Sequence, residues 1–482
     1  TAHLSSAFHV SPFNEAVVVS VDGFGDFAST AWGIGRGTKI DLESRVYFPH
    51  SLGIFYQSLT QFIGFHNYGD EYKVMGLAPY GKPVYMDQMR KILKLKADGG
   101  FELNLNYFRH HREKIEYEWE NGSPSVGTLF SPELEKLLGP ARAKNAELTQ
   151  HHKDIAHSVQ AMYEEAFFHL LNKLHSKYQS ENVAIAGGCG MNSVANGKVI
   201  LKTPFKKIYV QSAAGDAGGA IGAAFTTWHK VGGEQAKQRT QSHDHAYWGP
   251  SFSDEYIGQL LDKQKDRIKN ENCDIKHITD ISELVKKTAA EIAEGKVIGW
   301  FQGKMEFGPR ALGSRSIIAD PRNKDMQRNL NLKIKYRESF RPFAPAILES
   351  KVNEWFDLSE KSPYMLVVAN ILDKVKVPEI QNEKYEGLDK LKVNRSQIPA
   401  VTHVDYSARI QTVNESNNLK FYNLIKKFEE ITNCPILINT SFNVRDEPIV
   451  NSILDAYRCF MSTDLDMLVI ENCVLHKKKQ IV

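Results

Sequence analysis

NVAIAGGCGMN, residues 182–192, decides the fold class. Val183 to Ala186 form an unbroken apolar run, short enough for a buried strand, that leads straight into glycines. KIYVQSAAGDAGGAIGAAF (207–225) repeats the pattern: a strand, a glycine turn, then small residues at helical spacing. Upstream lies DIAHSVQAMYEEAFFHLLNKLHSKY (154–178). There Ile155, Val159, Met162, Ala166, Leu170 and Leu174 recur at three- to four-residue spacing and predict a helix with one apolar stripe. Strands alternating with helices through glycine turns predict an α/β domain. Nearer the start, AVVVSVDGFGDFASTAWGIGRG (16–37) predicts a hairpin, with the run Val17–Val21 closed by Asp22-Gly23.

The chain of 482 residues predicts two or three domains. Composition shifts at VGGEQAKQRTQSHDHAYWGP (231–250), which is polar and glycine-rich, so the expected division is 1–235 and 246–482. Beyond it, DISELVKKTAAEIAEGKVIGWFQG (280–303) predicts a helix capped by Asp280 or Ser282 and stopped at Gly295, then a strand. LKFYNLIKKFEEITNCPILINTSFN (419–443) again predicts helix, strand and polar turn, and the charged stretch 373–399 a surface loop. A net charge of +3 gives no case for nucleic acid or a membrane surface as partner. No run reaches the roughly 18–20 apolar residues of a membrane span. TAHLSSAFHV lacks the basic-then-apolar order of a signal peptide. The five cysteines are scattered and include no C-x-x-C, which predicts reduced thiols in a cytoplasmic setting.

The charge that matters is local. From Lys304 to Arg341 there are ten Lys or Arg against four Asp or Glu. MEFGPRALGSRSI (305–317) sets Arg310 and Arg315 among glycine, proline and serine; KIKYRESFRPFAPA (333–346) adds Lys333, Lys335, Arg337 and Arg341. Guanidinium forks grip phosphate or carboxylate in two places and ammonium acts as a point charge, so this mixture suggests a polyphosphate site. The ordinary alternative is a solvated basic face. Phe307, Pro309, Leu312, Phe340, Phe343 and Pro345 argue against it, because a solvated face needs no aromatic walls. INTSFNVRDEPIV (438–450) adds Asn439, Thr440, Ser441, Asn443 and Arg445, and HVDYSARIQTV (403–413) adds His403, Ser407 and Arg409; turn capping is the plain alternative for any one of them. The GDAGGAIGAA run (215–224) could receive a phosphate or an adenosine at a helix start, or could simply allow close packing. AGGCGMN is a second such loop, with Asn192 as a polar reader. Asp22 and Asp216 each read as a strand end, and with His3 they would suit a divalent transition metal, although spacing alone favours turn residues and an idle histidine.

Taken together, TAHLSSAF, DEYKVMGLAPYGKP (70–83), AGGCGMNSVANGK, QSAAGDAGGAIGAAF, FQGKMEFGPRALGSRSI, KIKYRESFRPFAPA, HVDYSARIQTV and PILINTSFNVRDEPIV resemble, in order and from end to end, the O-carbamoyltransferases of the nodulation, cephamycin and tobramycin type (the NodU, CmcH and TobZ group). The resemblance implies an actin/Hsp70-like, Kae1-like α/β domain, lacking its first strands here, followed by a YrdC-like α/β domain. In the family, ATP (with Mg2+) and carbamoyl phosphate give carbamoyl adenylate in the YrdC-like domain, and the Kae1-like domain passes the carbamoyl group to a hydroxyl of a small-molecule acceptor, a secondary metabolite or sugar. Positions matching the activation site are Lys304, Arg310, Arg315, Lys335, Arg337, Arg341, Asn439, Ser441, Asn443 and Arg445. Positions matching the nucleotide loops are Lys73, Gly76, Gly188, Asn192, Gly215, Asp216 and Gly218. The family metal, iron in related proteins, implies His3, Asp22 and Asp216 as ligands.

Members carry a further N-terminal stretch with a phosphate loop and the first histidine of an H-x-x-x-H pair, so the expectation is adenylate formation with poor transfer. Family precedent allows a homodimer. The rival readings are the hydrogenase-maturation carbamoyltransferase, whose C-x-x-C fingers are missing from this sequence; a tRNA threonylcarbamoylation enzyme, which the charge balance disfavours; and a non-catalytic nucleotide-binding protein on an actin-like scaffold.

Overall fold

A computed structural model of the chain describes residues 1–119, 122–239, 244–378, 385 and 387–477. Two compact units divide it: Thr1–His243 with Leu366–Val368 and Gln381–Val393, and Asp244–Met365 with Ala369–Ile380 and Asn394–Val482. Of the predicted linker 231–250, residues 240–243 lie outside the described residues, and Gly233–Lys237 forms a 3-10 turn. Of the predicted surface loop 373–399, residues 379–384 and 386 lie outside them. The rest is not wholly exposed, because Val375, Arg395 and Ser396 are buried. The fold is mixed α/β in both units.

The first unit is built on a five-stranded sheet. In space its strands run Lys39–Tyr47, Ala28–Arg36, Glu15–Gly25, Asn182–Ala186, Lys207–Val210. The first three are antiparallel neighbours, and Glu15–Gly25, Asn182–Ala186 and Lys207–Val210 are parallel. The predicted hairpin is present, but the chain runs through Asp22-Gly23 as strand and turns at Asp26 and Phe27, both at positive φ (51° and 58°). Two central residues at positive φ match the hand of a strand pair, which is why the hairpin closes there. The helix Gln150–Tyr178 begins four residues before the predicted 154 and buries the predicted stripe. At Gly187 (φ 91°) a Cβ would stand 2.1 Å from the carbonyl of Val21, so only glycine lets this loop cross the central strand.

The second unit carries a larger mixed sheet. Eight of its nine strands run Cys273–His277, Cys473–Lys477, Met467–Ile470, Ile298–Phe301, Arg315–Ala319, Ile436–Ser441, Ala344–Leu348 and Ser407–Val413 in spatial order. Helix Ile281–Ala293 starts at Asp280, whose carboxylate accepts the Ser282 N–H, and Gly295 (φ 88°) follows its end. Its buried face is Leu284, Val285, Thr288, Ala289 and Ile292; helix Leu419–Thr432 packs beside it through Phe421, Leu424, Ile425 and Phe428. Each of these large side chains contributes about 1.5–3 kcal/mol by burial. They hold the sheet as a stiff platform, and its register sets site residues side by side: Ser316 opposite Ser441, Asn439 opposite Ala344, Gln411 opposite Ala346.

Candidate functional site

The basic motifs of the second unit converge. Arg310, Arg337 and Arg341 all press on Arg409, whose pKa lies well below the arginine range because of burial and those three neighbours. Lys335 is likewise held well below the lysine range, by burial, then Arg337 and Arg341. Like charges gather this way against their own repulsion, and an anion placed among them would relieve it. Arg337 lies over the ring of Phe343 (4.6 Å), and its Nε donates to Asn331 Oδ1 (2.7 Å). Glu338 brings counter-charge, 3.6 Å from Arg341 and 3.9 Å from Arg445. Lys335 Nζ reaches the carbonyls and side-chain oxygens of Ser441 and Asn443, at 2.6–3.3 Å, so these residues of the INTSFN turn fix the ammonium. Sequence reading had singled out Arg409 on its strand, and the tertiary fold brings it into the cluster.

Arg315 is placed differently from Arg310. It is fully buried over the ring of Phe301. Its Nη1 donates to Gln302, Gly303 and Ser314 carbonyls and its Nη2 to Pro250 and Gly303. Burial lowers its pKa to about 10. With its terminal donors engaged by backbone, Arg315 braces the loop beneath the cluster. Asn439 also supports that loop, donating to Ala311 O (3.2 Å) and Gln411 Oε1 (2.7 Å), while its own Oδ1 is buried without a partner among the described residues. Lys304 and Arg445 are exposed, and Arg445 lies 3.3 Å from Asp446. The motif also holds Glu306, an acid that the local excess of positive charge does not mark. It is buried, and its Oε1 accepts the N–H groups of Leu312, Ser314 and Arg315.

In the first unit, His3, Asp22 and Asp216 do come together, with ligand atoms all within 4.8 Å of one another. His3 Nδ1 is 3.4 Å from Asp22 and Nε2 is 3.4 Å from Asp216. His3 comes from helix Ala2–Phe8 and Asp22 from the point where the central strand leaves the core. Asp216 does not end a strand as predicted. It opens the 3-10 turn Asp216–Gly218, beyond Lys207–Val210, and is 85% exposed. Burial raises the Asp22 pKa, with His3 opposing it and Asp216 adding to it. An imidazole and two carboxylates, with His3 Nε2 buried and, apart from the 3.4 Å approach of Asp216, lacking a hydrogen-bond partner among the described residues, fit a divalent metal. A cleft of about 230 Å3 adjoins them, lined by Ser20, Asp26, Thr30, Arg45 and Tyr47 among others.

The nucleotide-loop residues divide into two groups. Asn192 caps helix Ser193–Lys202 through Ala195 N–H (3.1 Å) and exchanges hydrogen bonds with Gln160, so its amide is committed within the fold. A Cβ at Gly218 would stand 2.2 Å from Ala213 O, and at Gly222 1.8 Å from Ala2 O; there the small residues serve close packing. Gly188 faces Asp22 (2.9 Å from Oδ1 for a Cβ) and Gly215 faces Met191. Lys73 lies 2.7 Å from Asp70 on helix Glu71–Leu77, which also carries Gly76. Beside it, Glu71 is pushed up to about 7 by burial and Asp70. Burial, Asp22 and Glu71 together push the Cys189 thiol well up, which places Glu71 near the AGGCGMN loop. All five cysteines are free thiols.

Comparison with known proteins gives this geometry a family. Residues 1–225 match the carbamoyltransferase N-terminus and residues 289–477 the carbamoyltransferase C-terminus. The chain is 45% identical to the uncharacterized protein sll1178 of Synechocystis, over 99% of this chain and 75% of that one. It is 36% identical to nodulation protein NolO of Bradyrhizobium diazoefficiens, over 99% of this chain and 78% of that one. It is 30% identical to the 3'-hydroxymethylcephem-O-carbamoyltransferase of Amycolatopsis lactamdurans, over 56% of this chain and 44% of that one. The chain therefore belongs to the carbamoyltransferase family and is a transferase by class. No helix among the described residues is long and apolar enough to cross a membrane.

Proposed function

We propose that the chain is an ATP-dependent O-carbamoyltransferase working in two stages. The arginine cluster of the second unit, a YrdC-like domain in this reading, receives carbamoyl phosphate and the triphosphate of ATP and yields carbamoyl adenylate. The first unit, Kae1-like in this reading, binds the adenylate and directs the carbamoyl group to a hydroxyl of a small molecule. The observation that carries the reading is the gathering of buried cations, Arg310, Arg337 and Arg341 around Arg409, and Arg337 and Arg341 around Lys335, where burial and then these neighbours hold both groups low. Two polyanions repel each other, and fixed positive charge at the reacting oxygens lowers the cost of bringing them together. The spatial order of the five-stranded sheet, with Ala28–Arg36 alone running against the rest, supports the actin/Hsp70-like reading of the first unit.

His3, Asp22 and Asp216 would hold a divalent metal, iron by the resemblance. Such an ion supplies Lewis-acid polarisation of a carbonyl or phosphoryl oxygen. Around it the chain's own residues act as a frame: Gly23 N–H orients Asp22 (2.8 Å), and the cleft at Ser20, Thr30, Arg45 and Tyr47 offers a polar approach for an acceptor hydroxyl. The 3'-hydroxymethylcephem relative supports a hydroxyl as the acceptor group. The test is to incubate the chain with ATP and carbamoyl phosphate, without acceptor, and measure pyrophosphate. Release that requires carbamoyl phosphate supports adenylate formation. ATP binding with no such release overturns it in favour of a nucleotide-binding scaffold.

A further inference from the structure

The loop after Met305 resembles a glycine-rich phosphate cradle, yet the N–H donors from Leu312 to Arg315 are already occupied. Glu306, 5% exposed, directs Oε1 at Leu312 N–H (2.6 Å), Ser314 N–H (2.7 Å) and Arg315 N–H (3.3 Å). Three N–H groups converging on one oxygen form the kind of concavity that elsewhere binds an external anion. The other face of the turn is held by its carbonyls. Leu312 O accepts from Gln411 Nε2 (2.7 Å) and Tyr247 OH (2.9 Å), and Gly313 O accepts from Trp300 Nε1 (3.0 Å). Gly313 (φ 107°) has no room for a Cβ, which would stand 2.3 Å from the ring of Phe421. The backbone from Leu312 to Arg315 is thus clamped from both sides, and Arg310 enters the cluster from a segment anchored at each end, by Glu306 and by Arg315.

Resting on the reading above, we infer that Glu306 is the positioning residue of the anion site. Its carboxylate takes the place of a ligand phosphate in the loop's N–H nest, so the loop is shaped before any substrate arrives. Recognition of the substrate anion then falls to side chains, Arg310, Arg337, Arg341 and Arg409. Burial raises the Glu306 pKa, and the N–H groups of Leu312 and Ser314 and the nearby Arg315 charge work against that rise.

The test uses inorganic pyrophosphate titrated into the whole chain by calorimetry, alongside KM and kcat for carbamoyl-phosphate-dependent pyrophosphate release. Glu306→Ala is expected to weaken pyrophosphate binding and raise KM by about 10-fold or more, in the range of lost ligand-orienting groups, with kcat less affected. Glu306→Gln keeps an oxygen acceptor and is expected to restore binding to within about threefold, against the roughly 10-fold loss of such groups. Glu306→Asp withdraws the acceptor by one methylene and is expected to lose binding while folded, which keeps the inference testable should the alanine variant not fold. A folded Glu306→Ala chain that binds pyrophosphate like the original overturns it, and so does a Glu306→Gln chain as weak as the alanine variant. An original chain that binds pyrophosphate but releases none from ATP and carbamoyl phosphate defeats the adenylate reading alone. Glu306 is then judged by the titration.

Discussion

The two units solve opposite electrostatic problems. The second gathers at least four guanidinium groups and a lysine against their own repulsion. It can do so because Glu306, Arg315, Gln411, Tyr247 and Trp300 satisfy the loop's backbone before a ligand arrives. The first gathers two carboxylates around one imidazole, with one of the three, Asp216, largely in solvent. A rigid, internally satisfied frame suits a site that must hold polyanions in register. An open triad on a helix, a strand and a turn suits a site whose ligand completes it.

The sharpest attempt to break this contrast removes the brace. Arg315→Ala leaves Glu306 buried without its counter-charge and several carbonyls without donors, so it is expected to destabilise the second unit by about 3–5 kcal/mol in urea unfolding. A loss under about 1 kcal/mol, the scale of an exposed pair, would mean that the frame does not depend on it. Next comes the ligand-facing side. Arg310→Ala or Arg341→Ala is expected to cost roughly 10²–10³-fold in carbamoyl-phosphate-dependent pyrophosphate release with stability nearly unchanged. Unaltered release would remove the cluster from the chemistry.

In the first unit, His3→Ala is expected to weaken Co2+ binding, read by its visible absorption, by about 10–100-fold or more. Pyrophosphate release should be untouched, since the two sites are assigned separate tasks; a parallel loss of both would erase the contrast. A change confined to pH dependence concerns Glu71. Its folded pKa of about 7 stands above the ordinary 4.5, so the folded chain keeps a proton that the unfolded chain releases. Stability is therefore expected to fall as pH rises from about 4.5 through 7. Glu71→Gln should remove that part of the pH dependence, worth on the order of 3 kcal/mol at pH 8. Identical unfolding curves for the two proteins at pH 5 and pH 8 would refute it.

Much was legible from residues alone, and the limits follow from what periodicity can carry. The stripe Ile155 to Leu174 and the Asp280 cap are local patterns, and they form the elements they predict. The hairpin turn was misplaced at Asp22-Gly23 because Asp-Gly is a favoured turn pair, whereas the strand continues and positive φ falls on Asp26 and Phe27. Asp216 was read as a strand end, and it lies on a turn. The basic motifs announced an anion site, yet sequence could not separate Arg310, in the cluster, from Arg315, five residues on and held through its terminal nitrogens by carbonyls. Nor could it show that Asn192 is a helix cap bonded to Gln160.

The sequence by itself determined the α/β class, the local excess of positive charge and the ordered motifs of a carbamoyltransferase, because spacing, charge and residue type are properties of the chain. Only the tertiary structure decided which donors are occupied. Whether a guanidinium faces a ligand or a carbonyl depends on groups distant in sequence, such as Pro250 for Arg315 or Leu312 for Gln411, and burial makes each such pairing all-or-none.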